Sequence, residues 1–325
     1  MALQAVHRDP TGQVALYQSE DRYFQTLENL FGQRFLDYRR RWRETAGRGR
    51  PGDFPLSLDL AVNSGCQLSC LMCPLPAGPE SRRVRLMDEA LWEGLMAQAG
   101  AHDLPALTLG LGSEPLLHPG VAGLVARAVR AGIMDIRLGT NGQLLTDQLA
   151  RALIDGRLTR LEISVDAARP ATYRLIRGGR LERLVRAIER FLELRQKAAS
   201  ALPLLRLSFL RLAQNEGELP EFLQRWGAVA DLISIQEPIW FPGSRLPRPP
   251  EARPLAPGCA QPWQRLAVNW DGRVWPCCSW YGADLLPPEA GRLSLAELWR
   301  SPEMERLRLS LTSGPPPPAC GQCQF

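Results

Sequence analysis

Eight cysteines stand in two groups: Cys66, Cys70 and Cys73 early in the chain, and Cys259, Cys277, Cys278, Cys320 and Cys323 near its end. Disulfide scaffolds belong mainly to small domains that lack a core, whereas this chain has 325 residues, 45% of them hydrophobic. Metal chemistry is therefore the better reading. Cys66-Gln-Leu-Ser-Cys70-Leu-Met-Cys73 places three thiolates within eight residues. They can wrap one corner of a 4Fe–4S cube and leave one iron free to take a small molecule. A structural zinc site wants four ligands, and no histidine lies near these three. In the tail, Cys259 precedes Gly272, Cys277 follows it, and Cys320 with Cys323 forms a CxxC pair. Four thiolates close either a zinc site or a fully ligated cluster, and by chemistry alone zinc is the favourite. Cys278 is left over as an inert buried thiol, a substitute ligand or a catalytic hydrogen-atom donor.

The elements around these cysteines alternate. Strands are expected at Leu58–Val62, Ala106–Leu111, Ile133–Leu138, Leu161–Val165, Leu204–Leu210 and Leu232–Gln236. Helical patterns at Leu86–Ala99, Val121–Ala131, Thr146–Ile154, Leu181–Leu192 and Leu219–Val229 separate them. Such alternation predicts a parallel sheet of βαβ units, here a partial (β/α)6 TIM-like barrel in an α/β protein with a small C-terminal cysteine-rich α+β domain. The first cysteine set follows the first strand, at the C-terminal end where barrel enzymes keep their chemistry. The expected domains are an N-terminal helical extension (1–54), the barrel (55–240), a Pro-rich linker (241–258) and the cysteine-rich tail (259–325). The extension carries an amphipathic helix from about Asp21 to Arg43. The tail holds an Asp-Gly hairpin at Leu266–Trp275, a capping box of Ser294 with Glu297, and a helix opened by Ser301-Pro302.

The formal charge is +5, and Lys197 is the only lysine. The arginines are scattered rather than massed, so a nucleic-acid partner is not expected. No apolar run suits a membrane span and the first residues do not read as a signal peptide, so a cytoplasmic location is expected. His102 and His118 are read as packed or capping residues near helix starts.

The spacing of Cys66, Cys70 and Cys73, with gaps of three and two, resembles the hallmark of the radical S-adenosylmethionine (radical SAM) superfamily. The family's aromatic residue before the third cysteine is here Met72, a thioether that can still pack on a ring. Gly112-Ser113-Glu114-Pro115 is similar to the family's Gly-Gly-Glu-Pro, which receives the methionine ammonium. Thr140-Asn141-Gly142 resembles its Thr-Asn-Gly turn. Ser164 and Asp166 stand where members contact the ribose or carboxylate of the cofactor, and Arg177 resembles the arginine that pairs with that carboxylate, with Arg174 as its rival. The likeness covers roughly residues 57 to 238. It implies an open 4Fe–4S cluster, S-adenosylmethionine chelated on the free iron, and reductive cleavage to a 5′-deoxyadenosyl radical that abstracts a substrate hydrogen. The tail resembles the SPASM domain in its short Twitch form. This shifts the weight from zinc to one auxiliary 4Fe–4S cluster on Cys259, Cys277, Cys320 and Cys323, serving as an electron conduit. The expected reaction is oxidation, or epimerisation with Cys278 as donor, of a small carbohydrate-like or natural-product substrate. Peptide maturation is the alternative and RNA modification a weaker one. The expected redox partner is a flavodoxin or ferredoxin.

Overall fold

The computed structural model describes residues 4–8, 14–18, 22–46, 50–75, 83–241, 243–247, 259–279, 286, 293–321 and 323. Six parallel strands follow one another in chain order: β3 (Ser57–Leu60), β4 (Ala106–Leu109), β5 (Asp135–Thr140), β6 (Arg160–Ser164), β7 (Leu204–Leu210) and β8 (Leu232–Gln236). The crossovers are helical: α2 (Glu89–Ala101), α3 (Val121–Arg130), α4 (Asp147–Asp155), α5 (Pro170–Arg177) with α6 (Leu181–Lys197), and α7 (Leu219–Trp226). Neighbouring strands joined by helices build a partial barrel.

Two hairpins extend this sheet to ten strands. At one side β1 (Gln4–Arg8) and β2 (Val14–Gln18) add antiparallel to β8. At the other, β9 (Arg265–Val268) runs parallel to β3, with Ser57 opposite Arg265, and β10 (Val274–Trp275) folds back on it. The first hairpin lies within the segment expected to be a helical extension. The second means that the cysteine-rich tail shares the barrel's own sheet. Most of the expected Pro-rich linker, residues 248–258, lies outside the described residues.

The strands alternate above their first residues, and the alternation decides where the core sits. Leu58, Leu60, Leu107, Leu109, Ile136, Leu138, Leu161, Ile163, Leu205 and Leu207 join the helices in one large apolar cluster on the outer face. The inner face is polar. Arg265 pairs with Asp59 at 2.8 Å, Arg160 with Asp135 at 2.6 Å and Arg137 with Glu162 at 3.1 Å. On Glu162's other side stands Arg206 at 3.6 Å, itself donating to Ser234 at 2.7 Å. A fully buried parallel sheet carries apolar runs on both faces; these strands instead reserve one face for charge.

α1 (Arg22–Ala46) bends at Gly32 (φ 57°) and lays Tyr23, Leu27, Phe35 and Tyr38 against Leu56, Ala106, Met134, Leu204 and Leu232. Those partners lie at the N-terminal ends of the strands, so the helix plugs the barrel bottom. In the tail α8 (Gln261–Gln264), α9 (Leu295–Trp299), α10 (Pro302–Ser313) and α11 (Pro318–Gly321) follow. The capping box of Ser294 and Glu297 forms as expected, and Ser301 caps α10. Buried Arg308 joins α10 to Pro262 O at 3.0 Å and Trp299 O at 2.8 Å, and burial pulls its guanidinium down to about 10.

Candidate active site

The first cysteine loop leaves β3 at its C-terminal end and is pinned from three directions. Buried Asn63 donates to Glu114 O at 2.8 Å and accepts from Gly65 N at 2.9 Å, while Glu114 N donates back to Gly65 O at 2.8 Å. Leu71 N donates to Ile176 O at the end of α5, and Arg245 N donates to Leu71 O, both at 2.8 Å. The cysteine loop, the Gly112–Pro115 loop, α5 and the segment after β8 therefore move as one. Arg245 falls in the stretch read from sequence as a linker; its described part is a brace.

Each sulfur of this set has an N–H partner. Cys66 Sγ accepts from Leu68 N at 3.5 Å and Asn141 Nδ2 at 3.8 Å; Cys73 Sγ accepts from Leu75 N at 3.4 Å; Cys70 Sγ accepts from Arg177 Nη1 at 3.7 Å. Burial pushes the Cys66 thiol up to about 12 and raises Cys73, so ligation must displace protons.

All three sulfurs border one cavity of about 400 Å³. Met72, Gly112, Ser113, Glu114, Thr140, Asn141, Ser164 and Arg177 line it, as does Phe241, which sequence reasoning missed. Pro115 opens a short 3-10 turn behind it, and Asp166 sits beneath Arg177; neither lines the cavity. Glu114, 2% exposed, accepts from Thr140 Oγ1 at 2.5 Å and Leu116 N at 3.1 Å on Oε1, and from Asn141 N at 2.8 Å on Oε2. Its carboxylate ties the β4 and β5 loops together. Burial raises its pKa and these donors oppose the rise. Gly110 (φ 113°) needs its missing side chain: a Cβ there would stand 2.5 Å from Gly139 O. Ser113 Oγ is buried at this cavity without a hydrogen-bond partner. Three thiols with an orphaned hydroxyl beside them fit an iron–sulfur cluster and a polar cofactor. The cavity reaches down the lumen to Thr108, Arg137 and Glu162.

The other cysteines gather apart from this cavity. Cys259 feels the charges of Cys323, Cys320 and Cys278, and Cys277 those of Cys278, Cys259 and Cys323, so all five tail cysteines lie near one another. Burial pushes Cys259 to about 12 and Cys320 to about 11. Among the described residues no three Cys, His, Asp or Glu side chains converge on a single-ion point; a cube takes its ligands on separate irons, farther apart than a zinc ion does. Cys278 packs against Ala61, Leu111, Ala267 and Trp275, with Sγ 3.8 Å from Gln261 Oε1. It feels Arg265, Asp59 and Arg137, yet it does not line the reaction cavity. His102 ends α2 rather than starting a helix and stacks on Phe54 at 4.3 Å. His118 Nδ1 accepts from Gly120 N at 3.1 Å, and burial lowers its pKa.

A parallel partial barrel that presents three braced thiols to a polar cavity defines an iron–sulfur enzyme frame. The chain belongs to the radical SAM superfamily: residues 60–219 match that family, and residues 259–324 match SPASM, an iron–sulfur cluster-binding domain. With these families come S-adenosylmethionine, a 4Fe–4S cluster in the barrel and an auxiliary cluster in the tail. The chain is 30% identical over 184 residues to a probable GTP 3′,8-cyclase of Methanocaldococcus jannaschii, covering 55% of this chain and 58% of that one. It is 32% identical over 148 residues to GTP 3′,8-cyclase 1 of Pseudomonas aeruginosa, covering 44% and 43%. It thus spans about half the length of the curated relatives it matches. Among solved structures its fold is similar to Streptococcus suis SuiB (TM-score 0.60, 15% identity, 90% of this chain and 74% of that one). It is also similar to BtrN in complex with AdoMet and 2-DOIA (TM-score 0.51, 17% identity, 79% and 87%). Among the described residues no helix is long and apolar enough to cross a membrane.

Proposed function

We propose that the chain carries out a net two-electron oxidation of a small, hydroxyl-rich molecule. The carrying observation is the cavity floor: Arg137, Glu162, Thr108 and Ser164 share one cavity with the three cysteines. Such a floor recognises hydroxyl and amino groups, and charged neighbours keep Glu162 ionised despite its burial. The bound cofactors supply a 5′-deoxyadenosyl radical and an electron acceptor. In this reading Cys66, Cys70 and Cys73 hold the barrel cluster. The Gly112–Pro115 loop, Thr140, Asn141, Ser164 and Arg177 seat the adenosylmethionine, with Asp166 holding Arg177 from beneath and Met72 against the adenine. Arg137 and Glu162 orient the substrate beneath it. Cys259, Cys277, Cys320 and Cys323 hold the auxiliary cluster.

The balance is simple. With both cofactors bound, a substrate C–H would lose its hydrogen atom to the 5′-deoxyadenosyl radical, the auxiliary cluster held by Cys259, Cys277, Cys320 and Cys323 would accept the second electron, and a proton would leave to solvent. Epimerisation needs a hydrogen atom returned from the opposite face, and Cys278, packed on Ala61, Leu111, Ala267 and Trp275, does not line the cavity. RNA modification is the weaker alternative: the aromatic face of α1 is buried under the barrel, while Arg40, Arg41 and Arg43 stay exposed.

The relatives named as GTP cyclases favour a second reading, a purine nucleotide as substrate. The test is anaerobic incubation with S-adenosylmethionine, a reductant and either a panel of aminocyclitols and amino sugars or GTP. A sugar-like product two hydrogens lighter, formed one for one with 5′-deoxyadenosine, is expected. Consumption of GTP with no turnover of the sugars replaces the first reading by the second.

A further inference from the structure

The three barrel sulfurs are not treated alike. Cys66 and Cys73 accept from neutral N–H groups, whereas the donor to Cys70 is a guanidinium. Arg177 is held there by Asp166: Nε reaches Asp166 Oδ2 at 2.6 Å and Nη2 contacts the same oxygen. This leaves Nη1 for the sulfur. The guanidinium fork is planar, so fixing two nitrogens aims the third.

Asp166 is placed at a conformational cost. It is wholly buried and takes a left-handed backbone (φ 58°), which a residue with a side chain rarely adopts. Three contacts hold it there. Leu210 N donates to its Oδ1 at 2.7 Å, Asn215 Nδ2 donates to its main-chain oxygen at 2.7 Å, and its own N donates to Ser208 O at 3.4 Å. Backbone strain of this kind persists where the surroundings over-determine it, and it gathers at functional sites. The same corner also turns a helix end toward the sulfur. The Cys70 thiol lies 3.7 Å from Arg177 O, the last residue of α5. Once Cys70 is a thiolate, that carbonyl repels it, and the guanidinium offsets the repulsion.

We infer that Arg177, aimed by Asp166, is a positioning residue that sets the reduction potential of the barrel cluster through its hydrogen bond to Cys70. The inference rests on the assignment of that cluster to Cys66, Cys70 and Cys73. Reduction adds negative charge beside a fixed cation, so the cation favours the reduced state. Asp166 cancels part of that cation's field. The two residues thus act with opposite sign: loss of Arg177 makes the cluster harder to reduce, and neutralising Asp166 makes it easier. A pin that only shaped the loop would give no such opposition.

The experiment is an anaerobic redox titration of the full-length holoenzyme, followed by electron paramagnetic resonance, without S-adenosylmethionine. The barrel cluster is identified afterwards as the one whose signal changes when S-adenosylmethionine is added. Arg177→Gln is expected to lower the one-electron reduction constant about tenfold, which is 59 mV. Asp166→Asn is expected to raise it by a similar factor, and Arg177→Lys, which keeps the charge, to fall between Gln and wild type. If Arg177→Gln fails to retain iron, the Asp166→Asn and Arg177→Lys shifts decide. Unchanged potentials in variants that retain the cluster overturn the inference. A wild-type protein with no cluster that responds to S-adenosylmethionine overturns the site assignment instead.

Discussion

The two cysteine groups differ in what surrounds them more than in what they offer a metal. At Cys66, Cys70 and Cys73 the sulfurs meet N–H groups of their own loop, Leu68 and Leu75, and of distant elements, Asn141 and Arg177, and all three residues line one cavity. At Cys259 and Cys277 the N–H partners are local, from Gln261 and Ser279, and Ser279 stands beside the set: Cys277 Sγ lies 4.0 Å from its main-chain oxygen and Cys323 Sγ 3.9 Å from its hydroxyl. Cys320 packs on the outer apolar core. In the proposed assignment three ligands beside a cavity leave an iron free for chemistry, whereas four leave none. The difference in surroundings is that the first set lines the cavity and is braced by Asn141 and Arg177, while the second does not line it.

The largest effect that tests this contrast is loss of the open site. Replacing Cys66, Cys70 and Cys73 by Ala is expected to abolish S-adenosylmethionine cleavage and reduce iron from about eight atoms to about four, as read by iron assay and 5′-deoxyadenosine chromatography. Replacing Cys259, Cys277, Cys320 and Cys323 by Ser removes the same amount of iron but leaves cleavage uncoupled from product. If cleavage vanishes there too while the barrel cluster stays, the two sites are not separable. Glu114→Ala comes next. It strands donors from Thr140, Asn141 and Leu116, costing about 1.5–3 kcal/mol of stability in chemical denaturation. It also weakens S-adenosylmethionine binding, read by calorimetry, without loss of iron. Smaller still is a pair of glycine substitutions. Gly142→Ala (φ 70°) puts a Cβ 2.5 Å from Leu184 Cδ1 and is expected to cost about 1–3 kcal/mol. Gly272→Ala (φ 84°), in the tail hairpin, meets only Leu91 at 3.6 Å and should cost about 1 kcal/mol. Equal costs in thermal melts would remove the claim that the barrel loops are the more tightly built.

Much of this was legible because the signals are local. The triple-cysteine spacing, the strand–helix alternation, the Ser294–Glu297 capping box and the Asp-Gly hairpin each lie within a few consecutive residues. What escaped the sequence depends on distant partners. The strand at 14–18 pairs with β8, more than 200 residues away, and the strand at 4–8 reaches the sheet only through it. Arg245 and Phe241 reach the first site only through the chain's return after β8. The strand at residues 133–138 forms two residues later, at Asp135–Thr140, because Ile133 packs into the outer core and Met134 into the bottom core ahead of the ladder. One signal was available and unused. Arg160-Leu-Glu-Ile-Ser alternates charge and apolar character inside a parallel strand, which announces a polar lumen.

The pairing of β9 with β3 has a consequence for how the protein is made. Residue 265 leaves the ribosome 208 residues after residue 57, its partner across the ladder. At about 5–20 residues per second that interval lasts roughly 10–40 s. Throughout it the β3 edge, with Asp59 lacking Arg265, waits as an unpaired hydrogen-bonding template in a crowded cell. The nascent chain is therefore exposed to wrong strand partners at the very edge that borders its first cysteine loop, and slowing translation of residues 60–264 should lower the yield of folded protein.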